Sequence, residues 1–435
     1  MTYQEAIRYL DSFVNYEKEA SYDYKRLFSL DRMRRLASML GDPQDSVKSI
    51  HIAGTKGKGS TSAIIHSILK EANFSTGLYT SPHLVSFRER IRIGDRIIGK
   101  EDIARLMGIL KKAVEKLRPD TPTFFEVCTM LAYLYFREKK ADFAVYETGL
   151  GGRLDATNIL KPLVSAITPI SYEHMDKLGK TLPEIATEKA GIIKDGGICV
   201  VAPQEEEALE TISWICKEKS AKRILVGKDI KFKELAFSDT EEVFCASGPF
   251  NDYPSLEMPL LGEHQVVNAA TAIGVIEALE LCGITIDRRA VKRGLKKVKW
   301  PGRLEVISRR PLVILDGAQN RASACALAAA IKRAFGYRKL VLVLGISKDK
   351  DIKGILDELL PISDKIVLTK ANIAERAADP SAIKELIKSR DGDIYLTKSV
   401  GEAIVKARRL ASKDDLILVT GSLFVVGEAG KILDE

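Results

Sequence analysis

The chain has 435 residues, 46% of them hydrophobic and 29% charged, with a formal net charge of +8. That length predicts two or three domains, and the composition is that of a soluble globular protein able to bury large cores without disulfide staples. Its six cysteines, Cys128, Cys199, Cys216, Cys245, Cys282 and Cys325, form no Cys-x-x-Cys pair; this argues against a zinc knot or a secreted disulfide framework and predicts reduced, mostly buried thiols.

The start, Met1 to Leu10, is polar and helix-like, without a basic region leading into an apolar run, so no secretory leader is expected and the cytoplasm is the expected location. No stretch approaches the 18 apolar residues of a membrane span. Val47–Ala53 reads as a strand, followed by a glycine-rich turn and a helix from about Ser60 to Ala72. Asp142–Glu147, Leu163–Thr168 and Ile198–Ala202 are further apolar runs bounded by turn residues, the form of parallel strands buried on both faces. Lys228–Asp252 mixes polar and apolar residues and predicts a small β-hairpin region. After Trp300-Pro301-Gly302, a plausible hinge, a second set follows. Leu312–Asp316, Leu340–Gly345, Lys365–Thr369, Ile394–Thr397 and Leu416–Gly421 are expected strands, with helices such as Ala322–Phe335 and Val400–Leu410 between them. The expected architecture is α/β: a P-loop, doubly wound N-terminal domain over 1–298 and a smaller Rossmann-like α/β domain over 299–435.

Lysines and arginines alternate with acidic residues along the whole chain, the pattern of a solvated surface. The densest basic stretch, Arg288 to Arg303, is the candidate for a basic cleft that attracts anionic substrates. No aromatic–basic interleaving of the RNA-binding kind is present, so nucleic acid is not the expected partner.

Gly54-Thr55-Lys56-Gly57-Lys58-Gly59-Ser60-Thr61 follows a strand and precedes a helix, the context a phosphate loop needs. Glycines let backbone N–H groups approach phosphates, the helix N-terminus adds its dipole, and Lys58 supplies a point charge. Ile52 stands where the common spacing has glycine, and Gly59 follows the lysine, so the loop is a variant. Glu147 ends an apolar strand and opens Glu147-Thr148-Gly149-Leu150-Gly151-Gly152-Arg153-Leu154-Asp155-Ala156-Thr157-Asn158. Beside a phosphate loop, such a carboxylate is placed to hold Mg²⁺. His174 follows the strand Leu163–Thr168, where ligands collect in open α/β sheets, although a lone histidine is more often structural. Lys189 lies on a helix and reads by default as a solvated lysine. Asp316 ends a strand before Gly317; it could meet a ribose, assist a reacting amine, or simply form a turn.

These segments resemble the folylpolyglutamate synthase/dihydrofolate synthase family of the Mur ligase superfamily over nearly the whole chain. The carriers are Gly54–Ser60, Ser81-Pro82-His83-Leu84 with Phe87–Ile91, Gly149–Asn158, His174 four residues before Leu178-Gly179, Glu188–Ile192, His264-Gln265-x-x-Asn268-Ala269, Pro301–Glu305 and Gly421-Ser422-Leu423. The resemblance implies an ATP-dependent ligase that adds L-glutamate to a folate carboxylate through an acyl phosphate, with dihydropteroate as a further possible acceptor. It implies ATP and Mg²⁺ at two sites, the small-molecule substrates as partners, and a monomer. By the same resemblance Ser81, Glu147 and His174 look like metal ligands. Thr55, Lys56, Gly57, Lys58, Gly59, Ser60, Asn268, Arg303 and Asp316 look like nucleotide contacts, and Lys189 matches a lysine that is carbamylated. Lys58, His174, Lys189 and Asp316 are the implied catalytic set. Folate contacts would come from Lys25, Arg26, Leu27, Phe28, Pro82, His83, Thr123, Phe124, Phe125, Glu126, Leu154, Asp155 and Ala156. Two departures stand out: Ser29-Leu30-Asp31-Arg32 where Gly-Leu-Glu-Arg is commoner, and Gln319 where the family usually has histidine. Glutamine keeps hydrogen bonding but loses the ionisable group. A peptidoglycan Mur-type ligase shares the chemistry, and a non-catalytic ATP-dependent switch shares the phosphate loop; both stand as alternatives on the sequence.

Overall fold

Where an apolar run is covered on both faces it needs no polar alternation, and the predicted runs form parallel strands for that reason. The computed structural model describes residues 1–434 apart from 18, 20, 21, 23, 373–375 and 388–392; the side chains of Lys25, Arg26 and Asp434 also lie outside it. Eight strands form the first sheet, in the order Arg96–Ile97, Ile91–Ile93, Thr76–Tyr79, Phe143–Glu147, Lys48–Ala53, Val164–Ile167, Ile198–Val201, Lys222–Leu225. All pairings are parallel except those of the two short strands at one edge. Alternate residues of one strand serve two cores. Phe143 and Val145 pack with Ile64, Ile68 and Ile273, on the helices Lys58–Glu71 and Glu263–Glu280. Ala144 and Tyr146 pack with Met107 and Val127, on Lys100–Lys116 and Phe124–Glu138.

The second sheet has six strands, in the order Glu305–Arg309, Leu312–Leu315, Leu416–Thr420, Leu340–Leu344, Lys365–Leu368, Ile394–Leu396. Only the first pair is antiparallel. Helices cover both faces, with Leu342 against Ile331 and Ile355 on one side and Val343 against Ala403 and Val425 on the other. No helix among the described residues is long and apolar enough to cross a membrane.

Four expectations need correction. The hairpin region is a three-stranded antiparallel sheet, Lys231–Phe237, Glu242–Ser247 and Asp252–Met258. The helix after the phosphate loop starts at Lys58, because Gly57 turns the chain at φ +81° and frees the next residue to be helical. Only Cys128, Cys199 and Cys216 are buried; Cys245 and Cys282 are half-buried and Cys325 is exposed. The basic stretch is mostly an outer helix, Arg288–Lys297, whose Arg293 and Lys297 pair with Glu71 and whose Lys296 pairs with Glu257. Of that stretch, only Trp300, Pro301 and Arg303 line the clefts described below.

That outer helix lies flush on the one carrying the phosphate loop. Ser67 Oγ donates to the Gly294 carbonyl at 2.7 Å, and a Cβ on Gly294 would stand 2.4 Å from the Ile68 Cα. Backbone cannot yield that distance cheaply, so Gly294→Ala should destabilise the protein by about 1–3 kcal/mol in denaturant unfolding. Gly108→Ala, on the helix Lys100–Lys116 with nothing within 4 Å, should gain up to about 1 kcal/mol. Equal effects at the two positions would refute the close packing.

Candidate functional site

The phosphate loop is stapled at its back. The N–H groups of Thr55 and Lys56 both donate to the Pro169 carbonyl at 3.1 Å, and Thr55 Oγ1 donates to the Ser171 carbonyl while accepting from the Ser171 N–H. Gly54 lies at φ +149° against Thr168, and Gly57 lies against Asn268, whose Oδ1 would be 2.1 Å from an added Cβ. The glycines are therefore required by close approach as well as by dihedral angle. Trp300 packs on Gly59 from the connection to the second lobe.

Lys189 corrects the solvated-lysine reading. Its residue is 4% exposed and its Nζ donates to the Gly54 carbonyl at 2.7 Å, beneath the loop. Burial, with repulsion from Lys58, pulls its pKa down to about 7. Glu147, at the end of its strand, is buried and accepts from the Ser81 N–H at 3.2 Å. Burial pushes its carboxyl above the usual range, against the opposing pull of Lys58 and Arg303. His174 sits in the left-handed region at φ +52°, and burial lowers its imidazole to about 4, so it is neutral at pH 7. Among the described residues, no three His, Cys, Asp or Glu side chains converge as a metal cluster. Ser81 and Glu147 share one cleft, whereas His174 lines the adjoining cavity with Ser81.

The first cleft lies between the lobes. Thr55, Lys56, Gly57, Lys58, Gly59, Ser60 and Asn268 form one wall and Arg303, Asp316 and Gln319 the other. Asp316 is largely committed to the backbone: Oδ2 accepts from the Leu304 N–H at 2.9 Å and Oδ1 from the Ala318 N–H at 2.8 Å. These bonds hold the turn in which Leu304 takes φ +48° and so aim Arg303 at the cleft. The turn-forming role is real, and the residue still faces the cavity.

A second cavity opens beside it, sharing Ser81, Pro82 and Gln319. Of the expected folate contacts, Phe28, Pro82, Thr123, Phe125 and Asp155 line it. Phe124 and Ala156 are core residues, and Leu154 packs at the edge of a core cluster. Glu126 caps its helix through the Thr123 N–H and pairs with Arg32 at 2.8 Å. His83 Nδ1 accepts from Arg90 at 2.9 Å and lines a neighbouring interlobe cleft. Leu27 is exposed, and the side chains of Lys25 and Arg26 lie outside those described.

Sequence reasoning missed the cavity's other walls. Tyr16, Tyr22 and Phe28 form an aromatic cluster with ring centroids 4.6–5.8 Å apart. Glu17 is clamped by the buried Arg90 through two hydrogen bonds of 2.8 and 2.6 Å; burial pushes its carboxyl up, but Arg90 outweighs this and holds it below the usual range. From the second lobe, Arg376 bonds the Glu17 carbonyl and also Asp349, and Lys350 stands 3.7 Å from Glu173. Asp349 and Lys350 follow the strand Leu340–Leu344, so the strand-end rule used for His174 could have found them. Tyr16 and Tyr22 carried no such signal.

Comparison with known proteins gives the family. Residues 52–276 match the Mur ligase middle domain and 302–423 the Mur ligase glutamate ligase domain. The chain is 36% identical to a dihydrofolate synthase/folylpolyglutamate synthase of Bacillus subtilis, over 97% of this chain and 100% of the relative. It superposes on a Mycobacterium tuberculosis folylpolyglutamate synthase complexed with ADP at a TM-score of 0.89 and 32% identity, covering 100% of this chain and 98% of that one. It superposes on the E. coli FolC protein in complex with DHPP and ADP at 0.87 and 29%, with 100% and 98% covered.

The lysine beneath the loop makes stability depend on pH. Its folded pKa of about 7 is depressed from 10.5, so between those values the unfolded chain holds a proton that the folded chain lacks. Stability from this group therefore rises with pH across that window. In buffer purged of CO₂, Lys189→Met should flatten the plot of unfolding free energy against pH from 7 to 9 by up to about 1 kcal/mol per unit. An unchanged slope would show that the amine is not held this way.

Proposed function

We infer that this chain, which belongs to the Mur ligase family and within it to the dihydrofolate synthase/folylpolyglutamate synthases, is an ATP-dependent ligase that joins L-glutamate to a folate carboxylate. The observation that carries the reading is the stapled phosphate loop with Lys58 and Glu147 on one lobe and Arg303 facing it from the other, beside an aromatic-walled cavity.

ATP lies in the first cleft, its phosphates against the N–H groups of 57–60 at the helix start and its base and ribose toward Asn268 and the Asp316 turn. The folate lies in the second cavity with its carboxylate directed toward Ser81, where the two cavities meet. A carboxylate oxygen attacks the γ-phosphorus, the bond to the β-phosphate oxygen breaks, and ADP leaves. The glutamate amine then attacks the acyl carbon and expels phosphate. All three reactants are anions, and Lys58 and Arg303 supply the charge that lets them approach. Closure of the lobes excludes the water that would hydrolyse the acyl phosphate.

Ser81, Glu147 and the neutral His174 offer a hydroxyl, a carboxylate and an imidazole, and the buried Glu147, whose carboxyl burial raises despite Lys58 and Arg303, would gain from a cation beside it. Mg²⁺ at two sites would neutralise phosphate charge there. The amine of Lys189, half-neutral near pH 7, is the form that adds CO₂: a nitrogen–carbon bond forms, a proton leaves, and a cation becomes a carboxylate. We assign Lys189 that carbamylated state in the working enzyme.

The test is ADP release with Mg-ATP and glutamate on a reduced folate and on dihydropteroate, with product masses. A glutamate increment on the reduced folate is expected, and one on dihydropteroate adds the dihydrofolate synthase activity. ADP release without an increment on either acceptor overturns the reading. Lys58→Ala should cut turnover by roughly a hundredfold or more and leave the unfolding transition intact; full activity in that variant would refute the phosphate-loop assignment.

A further inference from the structure

His51 lies on the central strand Lys48–Ala53, three residues before the phosphate loop, and is wholly buried. Its Nε2 is 2.7 Å from Thr157 Oγ1, which in turn is 2.5 Å from Asp155 Oδ1. Asp155 Oδ1 also accepts from the Thr157 N–H at 3.0 Å. Asp155 Oδ2 accepts from the Gly149 and Leu150 N–H groups at 2.8 and 3.0 Å. Each carboxylate oxygen thus already has two donors, which is the capacity of its lone pairs.

The proton order along this chain follows from donor and acceptor counts. A carboxylate only accepts, so the Thr157 hydroxyl donates to Asp155 and must itself accept from His51. His51 is therefore neutral with its proton on Nε2, and Nδ1 is a bare lone pair, buried without a partner. Protonating Nδ1 would bury an unpaired charged donor, and burial accordingly holds this imidazole well below its ordinary pKa.

We propose that His51 is a positioning residue for the folate acceptor, acting through Thr157 and Asp155 to hold the Gly149–Leu150 turn that forms one wall of the acceptor cavity. Gly149 packs under the Phe125 ring, at 2.7 Å from an added Cβ, so any shift of the turn moves Phe125, another wall of that cavity. The same turn begins two residues after Glu147. The relay thus links the strand that carries the nucleotide loop to the surface that receives the acceptor. It rests on the reading of that cavity as the acceptor site.

Two measurements test it. Selective ¹⁵N-histidine labelling of the intact protein gives signals from only five histidines. One should show the neutral Nε2–H tautomer with a bare Nδ1 across pH 5–8 and vanish in His51→Gln; an Nδ1–H tautomer or an imidazolium for that signal overturns the relay whatever the enzyme's substrate. In steady-state kinetics His51→Leu, which removes the donor, should raise the KM for the folate roughly tenfold or more with the KM for ATP little changed. His51→Gln, whose amide nitrogen reaches the place of Nε2, should restore most of that loss. Thr157→Val should match His51→Leu, and the double variant should add little to either. Should His51→Leu fail to fold, the Gln and Val variants carry the comparison. Equal rises in both KM values, or no rescue by Gln, overturn the proposal. A wild-type protein that makes no glutamate-bearing product sinks the functional reading and the acceptor role with it, whereas the tautomer result stands or falls alone.

Discussion

The Lys189 amine lies against the Gly54 carbonyl with almost no solvent around it, and much of the cleft answers to that placement. A loop built to bind phosphates must gather positive charge, yet a buried ammonium beside Lys58 is disfavoured by desolvation and by like-charge repulsion together. The protein resolves the conflict by letting one of the two lysines lose its proton near neutrality. Lys58 keeps its place at the helix start, facing the open cleft, and the Lys189 amine, once neutral, holds the loop's first glycine from below and is in the form that the proposed carbamylation needs. Each glycine of the loop is then held by a different neighbour: Gly54 by Thr168, Gly57 by Asn268, Gly59 by Trp300.

Charge compensation also explains how the two lobes meet. Apolar contact joins them through Leu84 and Leu261, which pack into the second lobe's cores, and ionic contacts cross the gap beside the cavities. Lys350 reaches Glu173, whose carboxyl feels burial first but is held low by the charges of Lys350 and Lys58. Arg376 reaches the backbone beside Glu17, which is itself locked by Arg90. These contacts are largely buried, the Lys350 and Glu173 side chains being 12% and 17% exposed, so parting them strands charge and they favour the closed arrangement. A ligase that must keep water from an acyl phosphate once its three anionic substrates are in place is served by such closure.

The parts legible in the sequence are those whose signal is local. Five strands of the second sheet were readable to within a residue or so, because continuous apolar runs between turn residues have few other uses. Gly54–Ser60 was readable because close approach of backbone to phosphate leaves glycine no substitute. The acceptor cavity was only partly legible, since its walls come from segments far apart in the chain. Tyr16 and Tyr22 lie in an irregular stretch and meet Phe28 only after folding. Phe124 and Glu126 sat inside a recognisable run, yet helix phase turned one into the core and gave the other to Thr123 and Arg32. Lys189 read as solvated from its residue type alone, although Ile185, Ala186, Ile192 and Ile193, three and four positions to either side, are all buried.

Gln319 stands where the two cavities join, lining both, with its N–H donated to Ser323 Oγ at 3.1 Å. A histidine there could take a proton from the arriving amine; an amide cannot, at any accessible pH. Proton removal must then fall to water or to an ionised carboxylate facing the junction. Asp316 is poorly suited, since both its oxygens hold backbone N–H groups and its carboxyl is raised by burial. Glu173 is better suited in charge, being kept ionised by its cationic neighbours. What glutamine retains is shape: it can donate to a phosphoryl oxygen and accept from an ammonium at the same time. If residue 319 meets the reactants, it can orient them but cannot serve as an acid or base, and the rate of amine attack should then depend on the amine's own pKa rather than on a titrating side chain there.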